Sequence, residues 1–124
     1  MKILLDTSFI LSCAKEKADF LEAENYGDLL LPEEVIEELE NLAKKAEKRK
    51  DRDASCLALD IISKNGKKFN FIKLEDSYVD SGIIKFAEKN KDIIVATIDK
   101  QLKKELKGKA KILSLRAGKK LFLS

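Results

Sequence analysis

The sequence contains no histidine and no tryptophan, and cysteine, methionine and proline are scarce. Without histidine, Ser-His and Cys-His nucleophile pairs, His-containing zinc sites and imidazole general bases are excluded. The two cysteines, Cys13 and Cys56, are too few for a four-cysteine zinc site or a disulfide framework. The five glycines are scattered and form neither a dinucleotide-binding motif nor a Walker P-loop. Chemistry in this chain must therefore come mainly from carboxylates, lysines and hydroxyls.

The length and charge of the chain set its class. A chain of 124 residues can bury one core, so we expect a single domain over residues 1–124. The 25 basic residues exceed the 22 acidic ones, and the net charge of +3 is compatible with a polyanionic partner without indicating one. No apolar run approaches the roughly 20 residues that span a bilayer, and the start lacks the features of a secretory signal. We therefore expect a cytoplasmic protein without a membrane segment.

Short apolar runs alternate with amphipathic segments along the chain. Strands are predicted at 2–5, 29–31, 67–74, 93–96 and 111–115, with a further candidate for a short edge strand at 119–124. Helices are predicted between them, the longer ones at 33–48, 54–64 and 77–90, and the segment Lys48–Asp53 is predicted as a charged break. This order predicts an α/β protein, a three-layer α/β/α sandwich around a mostly parallel sheet of four to five strands.

Two aspartates follow predicted strands. Asp6 directly follows the first strand and Asp99 closely follows the strand at 93–96. Because ligands of parallel sheets bind outside the carboxyl ends of the strands, both side chains are expected at the same rim. Each alone is typical of a helix N-cap. Two such positions together weaken that interpretation, because hydroxyl residues beside both aspartates could cap equally well.

Two further acids lie on predicted helices. Asp80 falls inside the apolar stripe of the helix at 77–90, where a charge needs a partner, a proton or a metal. The alternative is a capping box in which Asp80 pairs with Ser77. Glu38 and Glu40 flank opposite edges of the stripe on the helix at 33–48, and periodicity does not choose between them. Three or four carboxylates at one rim would suit Mg²⁺ or Mn²⁺ and phosphoryl chemistry.

Four segments of the sequence resemble, in order, the signatures of PIN-domain ribonucleases. They are MKILLDTSFIL, PEEVIEELENL, YVDSGIIKFAEKN, and IIVATIDKQLKKEL followed by KILSLR. The resemblance covers essentially the whole chain and is greatest to small archaeal members of the toxin-like and rRNA-processing-like branches. It implies a three-layer α/β/α fold and an endoribonuclease that uses Mg²⁺ or Mn²⁺.

The resemblance also implies roles for individual residues. The family's four catalytic and metal-binding acids match Asp6, Glu38, Asp80 and Asp99. Ser8 and Thr97 match polar positions that support those acids, whereas Ser81 stands where many members carry a further acid. The implied partners are an RNA substrate, a second copy in a homodimer and, for a toxin-like member, a small antitoxin protein.

Other features carry weaker expectations. Lys100, Lys103 and Lys104 start beside the acidic rim and are candidates for contacts to RNA phosphates, although solvated surface is the ordinary interpretation of such lysines. The eight aromatic residues lie mostly on apolar faces, so no base-stacking platform is predicted. Cys13 and Cys56 both fall among apolar helical positions, where we expect buried thiols, and a bridge between them is left open.

Three other function classes remain open at this point. A non-catalytic RNA-binding PIN domain would bind RNA without cutting it. A receiver-like phosphoacceptor module would need an acidic pair and an acceptor aspartate that are not evident here. A haloacid-dehalogenase-like phosphatase would need an Asp-x-Asp motif, whereas Asp6 is followed by Thr7 and Ser8.

Overall fold

Six strands, five α-helices and two short 3₁₀ helices alternate along residues 1–116 and 119–124, the part of the chain that the structure, a computed structural model, describes. The strands are β1 (Lys2–Leu5), β2 (Asp28–Pro32), β3 (Phe69–Ile72), β4 (Ile93–Ala96), β5 (Lys111–Arg116) and β6 (Lys120–Leu123). The α-helices are α1 (Thr7–Glu16), α2 (Glu33–Lys45), α3 (Arg49–Lys64), α4 (Val79–Lys89) and α5 (Lys100–Leu106). The 3₁₀ helices Phe20–Tyr26 and Gly66–Lys68 lead into β2 and β3.

The strands form one sheet in the order β3-β2-β1-β4-β5-β6. Neighbours from β3 to β5 are parallel, and β6 returns antiparallel to β5, with Leu113 opposite Leu123. The mostly parallel sheet is confirmed, and it has six strands rather than four to five because the tail adds an edge strand. The chain first builds outward from β1 to β3 and then returns to pair β4 with β1. The topological switch point therefore lies between β1 and β4.

Helices cover both faces of the sheet. Right-handed crossovers place α1, α2 and α3 on one face and α4 and α5 on the other. The packing agrees, because α3 contacts α1 and α2 whereas α4 contacts α5. With both faces covered, the central strands are buried from end to end, as in Ile3–Leu5 and Ile93–Ala96. The three-layer α/β/α prediction is confirmed.

The charged segment Lys48–Asp53, predicted as a break, is mostly helical. The helix α2 ends at Lys45 and α3 begins at Arg49, so only three residues separate them. The Arg52 guanidinium donates to the carbonyls of Ala46, at 2.6 Å, and Glu47, at 3.0 Å. These bonds satisfy carbonyls in the turn after α2. The first turn of α3 has no apolar face, so periodicity did not reveal it.

The expectation of two buried cysteines is only half right. Cys13 is buried, and desolvation raises the pKa of its thiol to about 12. Cys56 is exposed, because α3 turns Ala54, Ala58 and Ile62 to the core instead. Both cysteines are free, so they form no bridge. Among the described residues, no helix has the length and apolar character needed to cross a bilayer.

Replacing Arg52 by Ala should destabilise the protein. The change removes two charge-assisted hydrogen bonds to the turn after α2, of which one is part-buried and one exposed. Urea unfolding should show a loss of about 1.5–3 kcal/mol, the contribution of one buried hydrogen bond to a charged group. Arg49→Ala is the control, because the Arg49 side chain is 85% exposed and lies 3.6 Å from Asp53. Its unfolding free energy should change by less than about 1 kcal/mol. Equal losses for both variants would contradict the role of Arg52.

Candidate active site

Asp6 and Asp99 stand at the switch point of the sheet. Asp6 directly follows β1, and its N–H donates to the carbonyl of Ala96, the last residue of β4, at 3.0 Å. Asp99 lies three residues beyond Ala96 and immediately precedes α5. The structure therefore brings the two strand-end aspartates to the same carboxyl rim, where ligands of parallel sheets bind.

The Asp6 carboxylate is buried and fixed by two hydroxyls. Its residue is only 3% exposed, and its Oδ2 accepts hydrogen bonds from Ser8 Oγ and Thr97 Oγ1, both at 2.7 Å. Asp6 occupies the N-cap position of α1, but its carboxylate makes no cap hydrogen bond, so the helix-cap interpretation does not account for the side chain. Both side-chain bonds end on Oδ2, which leaves Oδ1 without a hydroxyl partner.

The same hydroxyls bind the loop that follows β4. Ser8 Oγ accepts from the N–H of Ile98 at 3.2 Å, and Thr97 Oγ1 accepts from the N–H of Asp99 at 3.1 Å. Each hydroxyl thus donates to Asp6 and accepts from the backbone beside Asp99. The position of Asp99 is therefore tied to that of Asp6 through two polar side chains.

Asp99 caps a helix, as expected for an aspartate in this position. Its Oδ1 accepts from the N–H groups of Gln101, at 2.9 Å, and Leu102, at 3.0 Å. No described hydrogen bond ends on Oδ2 of Asp99. The cap holds the side chain in one orientation and leaves one carboxylate oxygen for a ligand.

Asp80 lies at the rim but not in the core. The helix α4 begins at Val79, two residues later than predicted, so Asp80 occupies its first turn and is exposed. The expected position inside the apolar stripe is wrong, and no hydrogen bond of a capping box joins Ser77 to Asp80 among the described contacts. A helical wheel gives only an angle and does not show that a residue lies at the open end of a helix.

The structure chooses between the two glutamates of α2. Glu38 and Glu40 are both exposed. Glu38 is among the groups whose charge acts on Asp6, whereas Glu40 is not. This electrostatic effect favours Glu38, the glutamate that the PIN-domain resemblance indicates, and its role stays a prediction.

The acids act electrostatically on one another. Burial is the largest cause of the raised pKa of Asp6, and the charge of Glu38 adds to it, against the hydrogen bonds from Ser8 and Thr97. Partial desolvation raises the pKa of Asp80, and the charges of Asp6, Asp99 and Glu105 raise it further. In residues 1–116 and 119–124, no three acidic or cysteine side chains stand close enough to bind one ion together. Glu38 and Asp80 are exposed, so their side chains have room to turn.

Sequence reasoning missed two polar residues beside the site. Glu105, on α5, accepts from Gln101 Nε2 at 3.1 Å and contributes to the charge on Asp80. Ser114 is 2% exposed on β5, and its Oγ lies 2.9 Å from Lys103 Nζ. The one available signal for Ser114 was a hydroxyl residue inside an otherwise apolar strand.

Of the three lysines expected near the rim, Lys103 is the one held in place. Lys100 and Lys104 are exposed, whereas Lys103 is half-buried and bonded to Ser114. Lys103 also lines an open groove of about 480 Å³, together with Arg116 and Lys119. The groove reaches Ile98, in the loop between β4 and Asp99, and so begins next to the acidic rim.

Fold and site together define a three-layer α/β/α protein with acidic side chains at the switch point of its sheet. A family model described as a PIN like domain matches residues 3–118, and the chain belongs to this family. Ribonuclease VapC4 of Methanocaldococcus jannaschii is 34% identical over 111 residues, covering 85% of this chain and 82% of that protein. A solved structure of the PIN domain endonuclease Utp24 matches 99% of this chain and 90% of that one, with a TM-score of 0.79. At 24% identity, that similarity shows the shared fold.

Replacing Asp6 by Asn should stabilise the metal-free protein at neutral pH. Folding raises the pKa of Asp6 above its ordinary 3.8, so the folded protein favours the protonated carboxyl group. The free energy of unfolding therefore falls as the pH rises through the raised pKa and Asp6 ionises. Asparagine cannot ionise and keeps an oxygen for Ser8 and Thr97. In EDTA, we expect a higher melting temperature for the variant at pH 7 and a difference that shrinks toward pH 3.8.

Asp60→Asn is the control for this measurement. Asp60 is exposed on α3 and pairs with Lys64 at 3.0 Å, so its removal should leave the melting temperature nearly unchanged. A lower melting temperature for Asp6→Asn at neutral pH, or a difference independent of pH, would contradict the burial of an ionised carboxylate.

Proposed function

We propose that the protein is an endoribonuclease that hydrolyses RNA phosphodiester bonds with Mg²⁺ or Mn²⁺ at the acidic rim. The observation that carries the proposal is that Asp6 and Asp99 are held together at the switch point, because Ser8 and Thr97 bind both the Asp6 carboxylate and the backbone beside Asp99. Membership of the PIN-like family and the similarity to a ribonuclease support RNA as the substrate. The proposed catalytic and metal-binding residues are Asp6, Glu38, Asp80 and Asp99.

The chemistry of the donor set fits a hard divalent cation. The rim offers carboxylate and hydroxyl oxygens, which Mg²⁺ and Mn²⁺ prefer. Among the described residues, no side chain donates to Asp6 Oδ1 or Asp99 Oδ2. Desolvation and then the charges of neighbouring acids raise the pKa of Asp80, and a bound cation relieves such repulsion. When bound, the cation would supply an activated water and stabilise charge on the phosphate.

The chain's own residues would orient the reacting groups. Ser8 and Thr97 hold the Asp6 carboxylate in one orientation, and the cap bonds do the same for Asp99. Neither acid has to be ordered when the substrate arrives, which is the advantage of a preorganised site. Glu38 and Asp80, on the exposed side of the rim, would complete the site from α2 and α4.

The RNA backbone needs a cationic surface, because the acids themselves repel phosphates. Lys103, with its ammonium fixed on Ser114, and Arg116 and Lys119 supply one in the groove beside the rim. Arg116 is itself held, since its guanidinium lies 4.4 Å from the centre of the Phe122 ring. We propose that this groove contacts phosphates next to the cut bond, and that Lys100 and Lys104 contribute more weakly from exposed positions.

The biological setting remains a prediction from the resemblance. A toxin-like member would act with a small antitoxin partner, and an rRNA-processing-type nuclease would act on ribosomal precursors. A homodimer is expected in either case. A small reading frame beside the gene would favour the toxin role, and its product should then bind the protein and inhibit cleavage.

Asp6→Asn and Asp99→Asn should each abolish RNA cleavage while the protein stays folded. Each variant loses one charge at the metal site but keeps its shape, and asparagine caps a helix as well as aspartate does. We expect cleavage of a labelled RNA with Mg²⁺ or Mn²⁺ to fall more than about 100-fold, beyond the usual effect of an outer-shell partner.

Asp60→Asn, which removes the same charge from an exposed position on α3, should cut RNA at the wild-type rate. EDTA should stop wild-type cleavage, and excess Mn²⁺ should restore it. If Asp6→Asn and Asp99→Asn cut as fast as the wild type, the site assignment is wrong. If the wild type binds RNA but never cuts it with either metal, the non-catalytic alternative is correct.

Lys103→Gln should weaken RNA binding and reduce its salt dependence. Losing one phosphate contact should lower the slope of log affinity against log salt concentration by about 0.7 for a single strand. Lys91→Gln is a matched control, because Lys91 is exposed at the opposite end of the sheet, before β4. Equal slopes for the wild type and Lys103→Gln would remove Lys103 from the interface.

A further inference from the structure

Tyr78 presents an aromatic ring to solvent. It is 75% exposed, the highest value for a large hydrophobic residue in the described part of the chain. Tyrosine rings in folded proteins are usually at least half-buried. An exposed ring is still hydrated, so a ligand that covers it gains the free energy of releasing that water. Tyr26, the other tyrosine, is half-buried and packs against the core. Phe71 is also exposed, at 49%, so the exposure of Tyr78 is unusual in its degree among the described aromatic residues.

The backbone beneath the Tyr78 ring is held. Its N–H donates to Asp76 Oδ1 at 2.9 Å, and Asp76 Oδ2 accepts from Lys85 Nζ at 2.9 Å. The Tyr78 carbonyl accepts from the N–H of Gly82, at 2.9 Å, in the first turn of α4. An exposed ring on an anchored backbone can bind a ligand with little loss of backbone freedom.

Tyr78 lies at the edge of the acidic rim. It is the N-cap residue of α4 and stands two residues before Asp80, so their Cα atoms are at most about 7 Å apart. The charges of Asp6 and Asp99 reach Asp80. An RNA strand bound at Asp80 would therefore pass close to the backbone that carries this ring.

The surroundings favour a single planar ligand. Ser77, which precedes Tyr78, and Ser81, in the first turn of α4, are polar and exposed. A protein partner would be expected to need a wider apolar patch around its aromatic anchor. One ring beside polar groups instead matches one nucleobase, whose π-face stacks on tyrosine whatever its sequence.

We propose that Tyr78 stacks on a base of single-stranded RNA next to the nucleotide at the acids. The inference rests on the proposed function for the nature of the ligand and adds a binding site on α4, distinct from the phosphate groove on α5 and β5. It also explains why the protein would bind single-stranded RNA in preference to duplex RNA, because a base inside a duplex is already stacked and cannot reach the ring.

The protein's lack of tryptophan makes the stacking directly measurable. In a Tyr26→Phe background, Tyr78 is the sole tyrosine, so it dominates the emission. A single-stranded RNA of about ten nucleotides, titrated in EDTA to prevent cutting, should quench this emission. The same sequence as a duplex should leave the emission nearly unchanged at equal occupancy, with occupancy measured by fluorescence anisotropy of labelled RNA.

Substitution separates stacking from general binding. Tyr78→Ala should lower affinity for the single strand by about 5- to 150-fold and change duplex affinity little, whereas Tyr78→Phe should retain most of the affinity. Leu57→Ala removes an exposed apolar side chain on α3 and should change neither affinity. Circular dichroism should show that all variants fold.

The outcomes distinguish this inference from the proposed function. Quenching and the selective loss in Tyr78→Ala, without cleavage by the wild type, would support stacking and contradict the nuclease. Wild-type cleavage with unchanged single-strand affinity in Tyr78→Ala would support the nuclease and overturn stacking. Equal losses on single-stranded and duplex RNA would also overturn stacking.

Discussion

The buried carboxylate of Asp6 is the constraint on which the rest of the site depends. A charge that is 3% exposed needs partners, and the structure supplies two hydroxyls, Ser8 from α1 and Thr97 from the end of β4. Because the same hydroxyls accept the N–H groups of Ile98 and Asp99, the loop after β4 is fixed by the partners of Asp6. The Asp6 carboxylate thus joins the ends of β1 and β4, the two strands between which the switch point lies.

Different parts of the protein provide its stability and its proposed chemistry. The apolar strands, covered on both faces, provide the rigid frame, while burial and like charge act against the ionised acids at the rim. Such a site lowers the stability of the metal-free protein and would favour the binding of a cation. A loss of stability at a functional site is a common trade-off in proteins. The surrounding surface is varied: the exposed Tyr78 precedes α4, and the basic groove is formed by residues of α5 and β5. Phosphates, a metal and a base would each meet a different set of side chains.

The sequence predicted features that depend on local patterns and missed features that depend on tertiary contacts. The apolar runs and their order predicted the sheet, and β1 and β4 matched their predicted bounds, because charged or polar residues limit both runs. Asp6 and Asp99 could be placed because strand ends fix a rim. Asp80 was expected in the core because a helical wheel ignores where a helix begins, and the choice of Glu38 over Glu40 needed tertiary structure. Tyr78 and Cys56 gave no periodic signal of their exposure, which depends on neighbours distant in sequence.

The proposed chemistry requires that the carboxylates at the switch point bind a divalent cation. Crystals of the wild-type protein soaked in Mn²⁺ would reveal such an ion, since manganese is identified by its anomalous scattering. We expect at least one strong anomalous peak about 2–2.3 Å from oxygens of Asp6 and Asp99, with Glu38 and Asp80 turned toward it. The peak should be absent from Asp6→Asn crystals soaked in the same way. Manganese bound only elsewhere, or no peak at the rim of well-ordered wild-type crystals, would show that these carboxylates do not form the metal site.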